Sequence, residues 1–282
     1  MSKKTIKRVQ TGEVPLFYCV HEKQLFHAPS IKELLSLSGK KPRIDAEGIA
    51  ALALNGPGRP FGNAVLSGIK ELPPGHIAEY ENERLTITQY RKLEAKEHTE
   101  SFEETAETVR QMLTDSVKSC LTGDMSKKCL FLSGGLDSSI IGAIMKASNA
   151  PVNTYSVDYT DNKNHFKSGA FQPTEDAPYV TEMRKFLKSE HRDVILDTKT
   201  LFGALCNAVI ARGLPGMADV DASLYLFCEE VSKTCGYALS GECADETGCI
   251  RWGSGVALIC IISALFILSI SILQSHNAVR RS

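Results

Sequence analysis

Apolar runs of two lengths take turns along the chain from about Ser101 to Glu246, and this alternation constrains the fold more than any other feature. The segment opens on Ser101-x-x-Glu104, a capping box in which each side chain can satisfy the other residue's backbone N–H. Behind it Ala106, Val109, Met112, Leu113 and Val117 recur at helical spacing. The run Cys129–Leu132 is short enough for a buried parallel strand, and the apolar stretch Ile140–Ala147 beyond the next Gly/Ser turn predicts a helix. The pattern then repeats, with a strand over Val152–Tyr159 and a helix through Val180, Met183, Phe186 and Leu187. A strand at Val194–Leu196, a helix through Leu201, Leu205 and Val209, another over Leu224–Val231 and a short strand at Tyr237–Leu239 complete it. Strands joined by helices of this length imply right-handed βαβ units, hence an α/β fold with a parallel, doubly wound sheet covered on both faces.

Residues 1–92 have a different texture. Short apolar runs such as Leu16–Val20 alternate with turn strings such as Leu72-Pro73-Pro74-Gly75-His76, which predicts a β-rich piece of short strands. A chain of 282 residues that is 43% hydrophobic has room for one large or two medium domains.

The strongest chemical signal is Leu132-Ser133-Gly134-Gly135-Leu136-Asp137-Ser138-Ser139, set between a predicted strand and a predicted helix. Two glycines let the backbone turn sharply and bring bare N–H groups close to phosphate oxygens. Ser133, Ser138 and Ser139 add hydroxyl donors, and the following helix presents its positive end to an anion. A lone carboxylate in such a place repels phosphate, so the natural role of Asp137 is to hold Mg²⁺ between carboxylate and phosphate oxygens. The loop lacks the Gly-Lys-Ser/Thr ending of a Walker motif, which disfavours kinase or GTPase chemistry.

Ser-Gly-Gly-Leu-Asp-Ser-Ser resembles the PP-loop of ATP pyrophosphatases, whose sheet is HUP-like. A second motif after a strand, Leu239-Ser240-Gly241-Glu242-Cys243-Ala244-Asp245-Glu246, resembles the Ser-Gly-Glu-x-(Ala/Ser)-Asp-Glu loop of asparagine synthetases. Both loops follow strands and so belong at the carboxyl edge of the sheet, where ligands bind. In the N-terminal region, Gly12–Tyr18, His27–Leu35 and Leu72–His76 are similar to segments of the same family in the same order. The resemblance implies a remnant of an N-terminal-nucleophile glutamine amidotransferase domain over 1–92, an incomplete ATP-pyrophosphatase domain over 93–246, and a non-family tail over 247–282.

What the family does implies the expected chemistry. Glutamine supplies ammonia, ATP adenylylates the side-chain carboxylate of aspartate, and ammonia displaces AMP to give asparagine. Carried over by motif, the loop from Ser133 to Ser138 cradles pyrophosphate with Asp137 on Mg²⁺. Backbone groups of Leu132, Val157, Ser240 and Gly241 hold the adenosine. Glu242 is the candidate base for the attacking ammonia, as a carboxylate within hydrogen-bond reach can accept its proton, and Asp245 sits near aspartate or metal. The alternatives are another acyl-adenylating amide synthetase, such as a β-lactam synthetase, and a non-catalytic, membrane-tethered nucleotide-binding module. The intact second motif favours aspartate. The resemblance leaves a homodimer open.

Charge and cysteine usage narrow the class further. Lys+Arg 32 against Asp+Glu 33 leaves a net charge of -1, which argues against a nucleic-acid partner. Nine cysteines without a Cys-x-x-Cys pair, and no apolar signal peptide after Met1, predict buried or free thiols in the cytoplasm. Ser2 stands where the family exposes its nucleophilic cysteine, and the glutamine-binding sheet is expected to precede residue 12, so no glutaminase activity is expected. After Glu246 the resemblance stops inside a motif, and no charged residue occurs from Trp252 to Val279. Residues 256–273 approach the ~20 apolar residues a membrane helix needs. A frameshifted or fused reading frame, which the abruptness favours, and a core helix are the other readings of this tail.

Overall fold

A computed structural model describes residues 3–241 apart from 11, 13, 57–61, 93, 95–96 and 170–173. The chain divides into two compact units. One takes the described residues up to Glu94 together with Cys206–Asp221; the other takes those of 95–205 and those from Ala222 on.

The first unit contains β1 (Lys4–Lys7), β2 (Phe17–His21), β3 (Gln24–Ala28), α1 (Ile31–Ser38), α2 (Ala46–Asn55), β4 (Lys70–Glu71), β5 (His76–Glu81) and β6 (Arg84–Gln89). They make two antiparallel three-stranded sheets, ordered β1-β5-β6 and β3-β2-β4. The hairpins β2–β3 and β5–β6 close through two residues each, Glu22-Lys23 and Asn82-Glu83, all four at positive φ. That backbone matches the right-handed twist of the strands. Ser30 caps α1 by accepting the Glu33 N–H at 3.2 Å, and Gly39 ends it at φ 66. β2 is buried on both faces. Phe17 and Cys19 join a cluster with Ile31, Leu34, Ile69 and Leu214, while Tyr18 joins Ile6, Leu25, Leu72, Ala78 and Tyr80.

The second unit begins with α3 (Phe102–Cys120), whose capping box is complete. Ser101 N–H donates to Glu104 Oε2 at 2.9 Å, and Glu104 N–H donates to Ser101 Oγ at 3.2 Å. Then follow β7 (Lys128–Phe131), α4 (Leu136–Ala147), β8 (Asn153–Tyr159), the single turn α5 (Asn162–His165), α6 (Ala177–Leu187), β9 (Glu190–Leu196), α7 (Thr198–Arg212, in this unit up to Leu205), α8 (Ala218–Val231, in this unit from Ala222) and β10 (Tyr237–Leu239). The four strands are parallel in the order β10-β7-β8-β9. Alternation along β7 separates two cores. Leu130, with Leu132 just beyond the strand, packs against Val117, Ile141, Met145, Val180 and Leu187 from α3, α4 and α6. Cys129 packs on the other face with Tyr155, Phe227 and Val231, where α8 lies. Helices thus cover both faces, as the alternating runs predict.

This order fixes where a ligand can sit. From β7 the chain steps outward to β8 and β9, then returns to place β10 on the opposite side of β7. The strand order reverses between β7 and β10. Loops leaving the carboxyl ends of such a pair splay apart and leave a crevice, the preferred ligand site of open α/β sheets.

Candidate functional site

The two motif loops leave β7 and β10, the strands on either side of that reversal. Leu132 is buried; its N–H donates to the Tyr155 carbonyl at 2.8 Å, and its own carbonyl accepts the Ser156 hydroxyl. Beyond it the chain turns through Gly134 at φ 79, a conformation that favours glycine, and enters α4 with Gly135 as N-cap. Gly135 offers no side chain to cap the helix. The first-turn N–H groups of α4 lack intrahelical acceptors, as at any helix start, and are available to an anion.

The serines order the loop from within. Ser138, on α4 and only 3% exposed, accepts the Ser133 N–H at 3.3 Å and donates to the Gly135 carbonyl at 3.2 Å. Its Oγ also lies 3.1 Å from Ser133 Oγ, which accepts the Gly135 N–H at 3.3 Å. Together these bonds form a closed ring of hydroxyls and backbone. Asp137 stands half-buried and Ser139 next to it in the same first turn, and the Ser139 N–H bonds the Gly135 carbonyl at 3.1 Å.

Two close approaches pin the loop. A Cβ added at Gly134 would lie 2.7 Å from Tyr179 Cβ and 2.8 Å from the Val180 nitrogen, so the first turn of α6 rests directly on this glycine. A Cβ at Gly241 would lie 2.7 Å from Asp137 Cβ and 2.8 Å from the Ser138 nitrogen. The loop after β10 therefore touches the first turn of α4, and the two motifs, separated by about a hundred residues of chain, form one surface. Ser240, beside Gly241, is buried.

Val157 lies on β8, paired with Val194 and partly exposed. Beyond it Asp158 Oδ1 accepts the Tyr159 N–H and the Asn162 Nδ2–H, each at 2.8 Å, while the Tyr159 hydroxyl meets Ser223 Oγ at 2.8 Å. A cavity of about 500 Å³ opens beside β10, lined by Val117, Ile141, Tyr237 and Leu239 and reaching Ser240. It is mostly apolar, and Lys128 on its wall has its Nζ bonded to the Cys120 and Thr122 carbonyls. That chemistry suits a hydrocarbon surface better than a phosphate.

Among the described residues no group of three or more His, Cys, Asp or Glu side chains could hold a metal. Mg²⁺ does not need one: it is commonly bound by one or two carboxylates together with substrate phosphates. Asp137, beside a hydroxyl-lined anion loop, fits that donor set.

Residues 108–249 match the family described as asparagine synthase. The chain belongs to the asparagine synthase family. Residues 1–91 of this asparagine synthase family member also match a glutamine amidotransferase domain. It is 39% identical over 244 residues to asparagine synthetase [glutamine-hydrolyzing] 3 of Bacillus subtilis (strain 168), a match that covers 85% of this chain. The chain spans 40% of the length of that relative. Among solved structures, an NMN synthetase from Francisella tularensis is similar at 14% identity and TM-score 0.34, covering 53% of this chain and 58% of that one. An NH3-dependent NAD synthetase from Campylobacter jejuni follows at 12% identity and TM-score 0.30, over 53% of this chain and 60% of that one. At these TM-scores neither bears on fold or function.

In this family member the residues expected to cradle pyrophosphate, from Ser133 to Ser138, sit at the reversal beside Ser240 and Gly241, with Ser139 next to them. Leu132 directly follows β7, and Val157 lies on the neighbouring strand β8. The two catalytic candidates, Glu242 and Asp245, lie outside the described residues, as does the apolar segment 256–273. Among the described residues no helix is long and apolar enough to cross a membrane. Three contributors are absent from the motif reading. Tyr179 abuts Gly134, and Asp158 accepts the Asn162 Nδ2–H; neither belongs to the two quoted motifs. Ser156 is one of four polar residues in Asn153–Tyr159 and does not stand out among them.

Proposed function

We propose that this chain carries the ATP site of an asparagine-forming ligase. It would bind Mg·ATP, activate the side-chain carboxylate of aspartate as an adenylate with release of pyrophosphate, and pass it to ammonia, drawn from glutamine in the whole family protein. The observation that carries this reading is the contact of Gly241 with Asp137 and Ser138. It brings the loop that marks the asparagine synthases onto the loop that suits a pyrophosphate.

In this reading the backbone N–H groups at the start of α4 and the hydroxyls of Ser133 and Ser139 bind the β- and γ-phosphates, while the Ser138 hydroxyl, committed to the Gly135 carbonyl, shapes the loop. The hydroxyl ring around Ser138 holds the loop open in shape before ATP arrives, so little ordering is left to binding. Mg²⁺, held by Asp137, would neutralise charge on the leaving pyrophosphate. Backbone groups of Leu132, Val157, Ser240 and Gly241 bind the adenosine, with the Leu132 carbonyl oriented by Ser156. Glu242 takes the proton from ammonia as it attacks, and Asp245 lies beside aspartate or the metal. A cytoplasmic setting, where ATP and aspartate are both present, suits this assignment.

The test is a pyrophosphate-release assay on the chain with Mg·ATP, ammonium and a panel of amino acids. Aspartate-dependent release, with asparagine as product, is the expected outcome. ATP binding without release under any acceptor would refute the ligase assignment, and failure to bind Mg·ATP would refute the site itself.

A further inference from the structure

The second unit has an apolar opening that its described residues leave unfilled. β10 is three residues long and, among the described residues, pairs with β7 alone, so its other edge takes no strand there. The cavity of about 500 Å³ lies beside it, walled by Leu113 and Val117 from α3, Ile141 from α4, and Tyr237 and Leu239 from β10. Val117 and Ile141 are buried, Leu113 and Leu239 are half-buried, and Tyr237 is 53% exposed. Apolar surface thus grades from the core out to solvent at an open sheet edge, which folded chains normally cover. Cavities of ~300–1,000 Å³ enclose a drug-sized molecule, so this one has room for several side chains.

The charged groups here suit an apolar occupant. Lys128 Nζ donates to the Cys120 and Thr122 carbonyls, and Asp124 Oδ1 accepts the Ser126 N–H at 3.0 Å and the Ser126 hydroxyl at 2.7 Å. Covering the cavity costs neither group these bonds. Lys127, at the rim, is exposed.

The chain itself delivers such an occupant. It runs along the cavity through Tyr237–Ser240. The segment 256–273 begins fifteen residues past Gly241 and carries no charge, with Ser263, Ser269 and Ser271 as its only hydroxyl side chains. An extended stretch of that length spans up to about 50 Å, while the α3 wall from Leu113 to Cys120 is only ~10 Å long at ~1.5 Å per residue. Reach is no obstacle.

We propose that residues 256–273 of this chain fold back and seat apolar side chains in the groove between α3 and β10.

Tethering beside the groove raises the segment's effective concentration there to about the millimolar range, which a second copy in dilute solution does not match. Docking shields Leu113, Tyr237 and Leu239 from water, and burial of the segment's own Val, Leu, Ile and Phe side chains drives it. The segment cannot occupy the groove and a bilayer at once, so docking holds it out of membranes.

The test places photo-reactive benzoylphenylalanine at position 113 of the full chain and maps the adducts by mass spectrometry. The expected adduct is intramolecular and lies on the tryptic peptide from Trp252 to Arg280. Mixing isotopically heavy and light protein separates it from a link between copies, which would overturn the proposal, as would no adduct on that peptide. The same probe at Ile195, exposed on β9 at the far edge of the sheet, should give roughly tenfold less adduct. Equal yield from both positions would reveal unspecific collapse and also overturn it. If the change at Leu113 upsets folding, a probe at the more exposed Tyr237 reads the same contact. A second arm follows Trp252, the only tryptophan in the chain, with vesicles of brominated phosphatidylcholine. Unchanged emission supports docking, and strong quenching, which puts the segment in the bilayer, refutes it.

Discussion

Replacing Gly241 by alanine adds one methyl group where the two motif loops touch. That methyl would lie 2.7 Å from Asp137 Cβ, 2.8 Å from the Ser138 nitrogen and 3.1 Å from the Asp137 carbonyl carbon. Ordinary carbon contacts lie at ~3.5–4.0 Å, so about 1 Å must be recovered by movement. None of the three atoms is the tip of a flexible side chain; all belong to the backbone or Cβ of the α4 first turn. Overpacking against such a wall costs about 1–3 kcal/mol. If the loops separate to relieve it, the anion site opens, and at 1.4 kcal/mol per tenfold the affinity for Mg·ATP falls by about 5- to 140-fold. If they stay together, the same cost appears as a lower urea midpoint. Titration calorimetry with Mg·ATP and urea unfolding measure both routes. Gly142→Ala, also on α4, is the control. Its methyl would meet Leu187 Cδ1 at 2.9 Å and Leu130 Cδ2 at 3.1 Å, both mobile ends, and alanine favours the helix by about 1 kcal/mol. ATP affinity in the control should stay within about twofold, since only side-chain tips must give. A Gly241→Ala protein with unchanged affinity and unchanged midpoint would show that the loops do not meet, and the proposed site would lose its main support.

Removal of Mg²⁺ by a chelator should weaken ATP binding in the parent protein, whereas Asp137→Asn should bind ATP weakly and equally with or without the metal; calorimetry at matched ionic strength reads both. Leu130→Ala, at a fully buried position between the helices and the sheet, should cost about 2–5 kcal/mol by urea unfolding. The Ser101 N–H, and then its hydroxyl, hold the Glu104 carboxyl below the usual carboxylate range. A depressed folded value gives stability that is fully present above the unfolded pKa of ~4.3 and is lost as pH falls through the folded pKa. The melting temperature should therefore drop more steeply below pH ~4 in the parent than in Glu104→Gln.

β7 was legible because it is buried and reads as an unbroken apolar run, Cys129–Leu132, whereas β9, mostly exposed and opening on Glu190-His191-Arg192-Asp193, was legible only in its last three residues. The phosphate loop was legible because glycine and serine interrupt that run at a strand-to-helix junction. Helix α7 was legible as a helix but not in its buried face. Its apolar residues surround the axis, and the structure buries Ala204 and Ala208 while Phe202 is 77% exposed. Side-chain size, not hydrophobicity, selected that face, and periodicity does not register size. Helix α2 was missed within the β-rich reading of the N-terminal region. It starts at Asp45, whose carboxylate accepts the Gly48 N–H at 3.0 Å, but it buries only Gly48 and Ala51. With Ile49 and Leu54 largely exposed, its sequence carries no clean amphipathic stripe. Tyr179 was missed for a different reason. Its place against Gly134 depends on how α6 lies across the sheet, which no local pattern encodes.

Leu214, 5% exposed, fills the first core from a stretch that lies more than a hundred residues further along the chain. Near it, Arg212 grips Asp221 through both carboxylate oxygens, at 2.8 and 3.0 Å, closing the loop that delivers it. A gene cut after the codon for Glu94 would thus yield an N-terminal piece with a leucine-sized hole in the cluster that includes Ile31 and Leu34, and a remainder with an orphaned apolar finger. Neither product is a self-sufficient inheritance unit. Recombination that exchanged one half for a diverged counterpart would have to carry residue 214 along with the first ninety-four, or find a substitute of the same volume.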